Sequence, residues 1–167
     1  MDLYVLRHAI AVERGTPGYK NDSDRPLTPQ GVKRLRRVAR GLKALDLSFD
    51  AILSSPYLRA KQTAEIVADE LHCEKKLEFS PLLEPGGDIR SLIRDIVNRF
   101  AGCETLLLVG HEPYLSTLIS VLISGDQKVE ITMKKGGVCK LSAERLRFGR
   151  CAALEWLVAP GVFDSFL

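Results

Sequence analysis

Leu3-Tyr4-Val5-Leu6-Arg7-His8-Ala9 is the stretch on which the reading of the chain turns. Four apolar residues with a β-rich bias, bounded by polar ones, suit a buried strand. The run stops abruptly at Arg7 and His8. In open α/β sheets the ligand crevice lies beyond the carboxyl ends of the strands. An arginine and a histidine delivered there can hold an anion and react with it.

Three more segments repeat this design. Ala51-Ile52-Leu53 runs into Ser54-Ser55-Pro56-Tyr57-Leu58-Arg59. A weaker strand at Leu77–Phe79 precedes Pro81-Leu82-Leu83-Glu84, and Thr105–Val109 ends in Gly110-His111-Glu112-Pro113. Four strands therefore carry Arg7, His8, Arg59, Glu84 and His111 just past their carboxyl ends. The expectation is one site with two histidines, two arginines and a carboxylate.

Between the strands the hydrophobic period changes from two to that of a helix. A polar stretch, Glu13 to Arg25, is long enough to be a functional loop. Thr28 then caps a helix whose first residue is Pro29, with Val32, Leu35, Val38, Ala39 and Leu42 on one face. Helices follow at about Tyr57–Leu71, with Ala60, Ala64, Val67 and Leu71 as its stripe, and after Asp88, with Leu92, Ile93, Ile96, Val97 and Phe100. A fourth starts near Pro113, carries Leu115, Leu118, Ile119 and Leu122, and closes at Gly125-Asp126. The last quarter reads as strands at Val129–Met133, Val138–Leu141 and Ala152–Val158, joined by turns. The pattern predicts one domain over residues 1–167. Its class is α/β, a three-layer α/β/α sandwich with a mostly parallel sheet and an antiparallel edge.

Composition narrows the function. The chain has 167 residues, 46% hydrophobic and 27% charged, which allows one full core. A net charge of +3, without interleaved aromatic and basic residues, gives no footprint for nucleic acid. No apolar run approaches the roughly 18 residues of a membrane span, and no secretory leader is visible. Cys73, Cys103, Cys139 and Cys151 lack CxxC spacing and read as reduced core thiols of a cytoplasmic protein. His72 reads as a surface residue at a helix end.

Metal is the weaker use for the two histidines. No HxxxH pair is present, and two arginines would repel a cation. Arginines favour phosphate, because the guanidinium fork donates paired, charge-assisted hydrogen bonds to its oxygens. Phosphoryl transfer needs mainly positioning and charge stabilisation. A neutral imidazole among arginines is a competent nucleophile, since the cations keep it unprotonated. No metal and no cofactor is expected.

Three motifs in order carry a resemblance. Leu6-Arg7-His8-Ala9 resembles the RHG signature of the histidine phosphatase superfamily, the phosphoglycerate-mutase-like fold. Ser54-Ser55-Pro56-Tyr57-Leu58-Arg59-Ala60-Lys61-Gln62-Thr63-Ala64 is similar to its S-P-x-x-R-A-x-Q-T segment, and Val109-Gly110-His111-Glu112-Pro113 to its second histidine. The short chain, Asp24-Arg25-Pro26-Leu27-Thr28 and Glu84-Pro85-Gly86-Gly87-Asp88 are similar to the SixA-type phosphohistidine phosphatases. The likeness runs from residue 1 to about 120.

The resemblance implies that His8 is the nucleophile. Arg7, Arg59 and His111 would surround the phosphoryl group, with Arg25 beside them. Glu84 stands where larger members keep a general acid, which SixA-type enzymes can lack. Ala9 replaces the family's glycine, and its methyl group matters only if that position needs positive φ or close phosphate contact. The implied activity is hydrolysis of phosphohistidine on a protein partner, through a phosphohistidine on the enzyme. Alternatives are a small-molecule phosphomonoesterase and a non-catalytic phospho-binding module. Lys33, Arg36, Arg37 and Arg40 form one basic stripe on the first helix, flanked by Arg34 and Lys43. It is either a solvated face or a docking surface for an acidic partner.

Overall fold

The computed structural model describes residues 1–166. Strand β1 (Asp2–Arg7) is followed by helix α1 (Pro29–Ala44), β2 (Ala51–Ser54), α2 (Leu58–Glu70) and β3 (Leu77–Phe79). Then come α3 (Ile89–Arg99), β4 (Thr105–Gly110), α4 (Tyr114–Ser124), β5 (Val138–Ser142) and β6 (Ala153–Val158). The six strands form one sheet in the order β3-β2-β4-β1-β5-β6. The first four run parallel, and β5 and β6 add an antiparallel edge.

The sheet separates two cores, and β1 shows how. Successive strand side chains point to opposite faces. Leu3 and Val5 therefore pack with α3 and α4, while Tyr4 and Leu6 pack with α1 and α2. In β4, Leu106 and Leu108 join the first core, and Leu107 and Val109 the second. Burial on both faces is why these strands read as unbroken apolar runs.

The helix ends carry the expected chemistry. Thr28 Oγ1 accepts the Gly31 N–H at 3.0 Å, with Pro29 in the first turn. Asp88 accepts the Ser91 N–H at 2.8 Å and starts α3. Gly125, with φ of 95°, closes α4 in a left-handed conformation that only glycine adopts without strain.

The structure corrects several expectations. Val129–Met133 is not a strand. Its polar groups serve other partners: Val129 N–H donates to Ser120 Oγ at 3.1 Å, and the Met133 carbonyl accepts from Arg7 at 2.7 Å. Val97 is exposed although its neighbours Ile93 and Ile96 are buried, because it lies one residue past the helix's inward stripe. Val32 and Leu71 are only half-buried. Of the cysteines, Cys73 and Cys139 are core residues, whereas Cys103 and Cys151 are half-buried; all four are free thiols. The α1 stripe meets carboxylates from elsewhere: Arg37 pairs with Asp164 at 3.0 Å, and Arg40 and Lys43 each lie 3.9 Å from Glu70 of α2.

Gly31 marks the tightest approach of α1 to the segment after β1. A Cβ there would overlap the Ile10 carbonyl oxygen. That carbonyl cannot retreat, since it accepts Thr28 N–H at 2.9 Å and lies 3.3 Å from Thr28 Oγ1. Gly31→Ala should therefore destabilise the protein by about 1–3 kcal/mol, overriding alanine's helix advantage of roughly 1 kcal/mol. Gly102→Ala, which meets nothing within 4 Å, should leave the midpoint of urea unfolding unchanged. Equal midpoints for the two variants would refute this account.

Candidate active site

The site is assembled by strand register. In β1 against β4, Arg7 stands opposite Gly110, and His8 N–H donates to the Gly110 carbonyl at 3.0 Å. This sets the His8 and His111 ring centroids 5.2 Å apart. On the other side of β4, Ser54 pairs with Val109 and Ser55 N–H donates to the Val109 carbonyl at 3.0 Å. Ser55 Oγ thereby comes within 2.8 Å of His111 Nε2. The Tyr57 ring lies edge-on to His111, with centroids 5.3 Å apart. Arg59 follows in the first turn of α2, and its guanidinium reaches back to His8.

Both nitrogens of His8 have defined roles. Nδ1 lies 2.8 Å from the Ala9 carbonyl oxygen. That oxygen can only accept, so Nδ1 carries the proton. Arg59 Nε–H donates to His8 Nε2 at 3.3 Å, so Nε2 presents its lone pair. Burial is the largest cause holding the His8 pKa down, to about 3, with the charges of Arg59, Arg7 and Lys135 adding to it. His8 is therefore neutral near pH 7, with its Nε2 lone pair turned toward the Arg59 guanidinium.

His111 is also held neutral. Burial first, then His8 and Arg59, lower its pKa to about 3. Ser55 Oγ accepts Tyr57 N–H at 3.3 Å and can donate its own proton to His111 Nε2. His111 Nδ1 is buried and has no partner. Arg7 shows the same pattern. Its Nη1 donates to the Met133 carbonyl at 2.7 Å, while its Nε is buried without a partner. Buried polar atoms are nearly always satisfied. Arg7, whose charge acts on His8, thus keeps a buried N–H that suits an oxygen of an anion.

Asp22 organises the remaining cations. Its Oδ2 accepts from Arg59 Nη2 at 2.9 Å, and its carbonyl from Arg59 Nη1 at 2.7 Å. Its Oδ1 accepts from Arg25 Nη2 at 2.7 Å and from Arg14 Nε at 3.2 Å. Arg25 Nη1 also donates to the Val12 carbonyl at 2.6 Å. Burial opposes ionisation of Asp22, but hydrogen bonds and charge from Arg25 and Arg59 prevail and hold its pKa at about 2. Thr63 completes the frame, accepting Ala9 N–H at 3.1 Å and donating to the Arg59 carbonyl at 2.7 Å. Ala9 itself has no positive φ, so its methyl group brings no backbone strain.

His8, Arg7, Arg59 and His111 thus come together, with Arg25 joined to them through Asp22. Glu84 is not tied to them by a hydrogen bond, although the adjacent Leu83 carbonyl approaches Gly110. It is half-buried at the end of a 3-10 turn, Pro81–Leu83, and its side chain has no hydrogen bond or ion pair among the described residues. Sequence reasoning missed Asp22, Ser55 and Thr63. Ser55 and Thr63 lie within a motif that drew attention only to its arginine. The signal for Asp22 was its place three residues before Arg25. No group of three or more His, Cys, Asp or Glu side chains that could hold a metal ion occurs among the described residues.

The description "Histidine phosphatase superfamily (branch 1)" matches residues 3–84. An uncharacterised protein of Picosynechococcus sp. is 36% identical over 148 residues, 88% of each chain. Phosphohistidine phosphatase SixA of Escherichia coli is 32% identical over 129 residues, 75% of this chain and 76% of its own. The solved structure of the protein histidine phosphatase SixA complexed with tungstate superposes with a TM-score of 0.82 at 26% identity, covering 97% of this chain and 99% of that one. The chain belongs to the histidine phosphatase superfamily, in its SixA-type group.

Proposed function

We propose that this protein is a cytoplasmic, metal-independent phosphatase that removes the phosphoryl group from a phosphohistidine on a protein partner, through a phosphohistidine at His8. The observation that carries this reading is the neutral His8 imidazole, with its Nε2 facing the Arg59 guanidinium and its ring 5.2 Å from that of His111. Likeness to the Escherichia coli phosphohistidine phosphatase supports the substrate class. The four free thiols suit a reducing compartment.

In the first step, His8 Nε2 attacks phosphorus as the bond from phosphorus to the substrate's imidazole breaks. The bonding pair returns to that imidazole, which leaves neutral if its other ring nitrogen already carries a proton. Arg7, Arg59 and His111 stabilise charge on the equatorial oxygens, and Arg25 adds to the positive field. In the second step water attacks phosphorus, the pair of the N–P bond returns to His8, and the water's proton leaves with phosphate. Protonation of the leaving group is built into the substrate, so Glu84 is needed only where an alkoxide departs.

The deciding experiment gives the purified protein a histidine-phosphorylated protein and a panel of phosphoesters. His8→Ala should abolish turnover and the acid-labile phosphoenzyme. His111→Ala should lower kcat by on the order of 10²-fold or more, as for other single charge stabilisers. Phosphate transfer to the His8→Ala protein but not to the wild type would exclude His8 as nucleophile. Glu84→Gln should slow alkyl phosphates far more than phosphohistidine, and equal losses would remove Glu84 from leaving-group chemistry.

The histidines also set a pH dependence of stability. Their native pKa values of about 3 lie below the ordinary value near 6.5. Between these values the unfolded chain binds more protons, so stability rises with pH. It is complete above about pH 6.5 and is lost as pH falls toward the native values. Each histidine should contribute on the order of 1–2 kcal/mol between pH 5 and pH 7. Urea unfolding of wild type and of His8→Asn at both pH values checks this: the variant should lose less on acidification.

A further inference from the structure

A second cationic surface lies on the opposite face of the sheet from α1. Arg90 and Arg94 stand one helical turn apart on α3, and Arg145 and Arg147 face them from the loop between β5 and β6. Together they line a groove of about 550 Å³ whose floor includes Ile93 and Phe148. Val97 is exposed at its side. None of the four guanidiniums has an ion-pair partner among the described residues. The nearby Asp95 holds Arg99 at 2.9 Å, and Asp88 is engaged as the cap of α3.

The groove opens toward the segment that follows His111. Arg90 and Phe148 also line an adjoining cleft of about 330 Å³, which extends to Glu112 and Pro113, the residues directly after His111. Four like charges over an apolar floor repel one another, and an anionic partner would relieve that repulsion. The stripe on α1 is partly answered, since Asp164 and Glu70 meet its Arg37 and Arg40, while Lys33 and Arg36 have no ion-pair partner among the described residues.

We propose that this groove receives an acidic segment of the protein substrate, bearing aliphatic side chains among its carboxylates, while its phosphohistidine occupies the site. The proposal rests on the phosphatase reading above and names the chemistry of the partner. Carboxylates pair with the four arginines, and aliphatic side chains cover the exposed Val97. A polynucleotide fits less well. The floor is mainly aliphatic, and the one ring there, Phe148, is capped by the Arg90 guanidinium at 3.6 Å from its centroid, which leaves that face closed to base stacking.

The test uses three probes: free phosphohistidine, a phosphohistidine peptide flanked by alternating glutamate and leucine, and the same peptide with lysine for glutamate. The wild type should prefer the acidic peptide by on the order of 10-fold in kcat/KM at low salt. The preference should collapse near 1 M salt, where the Debye length is about 3 Å. The Arg94→Glu/Arg147→Glu double variant changes only exposed side chains. It should lose the preference while hydrolysing free phosphohistidine at the wild-type rate. A wild type without the preference, or a variant that keeps it, overturns the proposal. So does replacement of the acidic peptide, in fluorescence anisotropy, by single-stranded oligonucleotide at equal concentration, which would mark a general polyanion cleft. Failure of the phosphatase reading has a separate signature, since free phosphohistidine would not be turned over while anisotropy would still report binding of the acidic peptide.

Discussion

Parallel pairing of β1 with β4, in the register that sets Arg7 opposite Gly110, is the constraint on which the site depends. A slip of one residue would exchange the faces of Leu3, Tyr4, Val5 and Leu6. It would also separate the two histidines. Both cores hold the register, because each claims alternate residues of the two strands. Gly110 allows the close approach at the end of β4. A Cβ there would lie 3.1 Å from Leu115 Cδ2 and 3.5 Å from the Leu83 carbonyl. The hydrophobic interior thus aims the imidazoles without touching the reacting atoms.

Electrostatics at the strand ends then follow from crowding cations in a dry place. Burial lowers the pKa of both Arg7 and Arg59, and isolated buried charge is unfavourable. Carbonyls of Met133 and Asp22, with the Asp22 carboxylate, offset that cost. The offset is incomplete at Arg7 Nε, and His111 Nδ1 also lacks a partner. The imidazoles respond by staying neutral. Nucleophilicity and anion affinity therefore share one origin, desolvation of a cationic pocket.

Much of the architecture was legible from period alone. Doubly buried strands and amphipathic helices have different repeats, and the punctuating Thr28, Asp88 and Gly125 behave as caps. His8 and His111 were legible because each follows a strand directly, Arg7 because it ends one, and Arg59 because it stands in the S-P-x-x-R segment after β2. Val129–Met133 misled because apolar residues also line a loop that must supply carbonyls to Arg7. An aspartate in a polar loop reads as solvated, so Asp22 was passed over, although it holds Arg59. The basic groove was invisible because Arg94 and Arg145 are far apart in sequence and meet only through the fold. The α1 stripe attracted attention for the opposite reason: its charges are close in sequence, while the carboxylates that meet Arg37 and Arg40 come from the segment after β6 and from α2.

Cys139 gives the sheet a chemical clock. It lies in β5, paired with Val5 of β1 on one side and Leu157 of β6 on the other. Burial pushes its thiol up to about 12, so the reactive thiolate is scarce while the sheet is closed. Alkylation at Cys139 requires β5 to part from its neighbours, an opening that belongs to the core rather than to fraying loops. β5 is also the flank of the strand that ends in Arg7 and His8. Covalent labelling of this one sulfur therefore records each excursion in which the nucleophile's own strand loses its support.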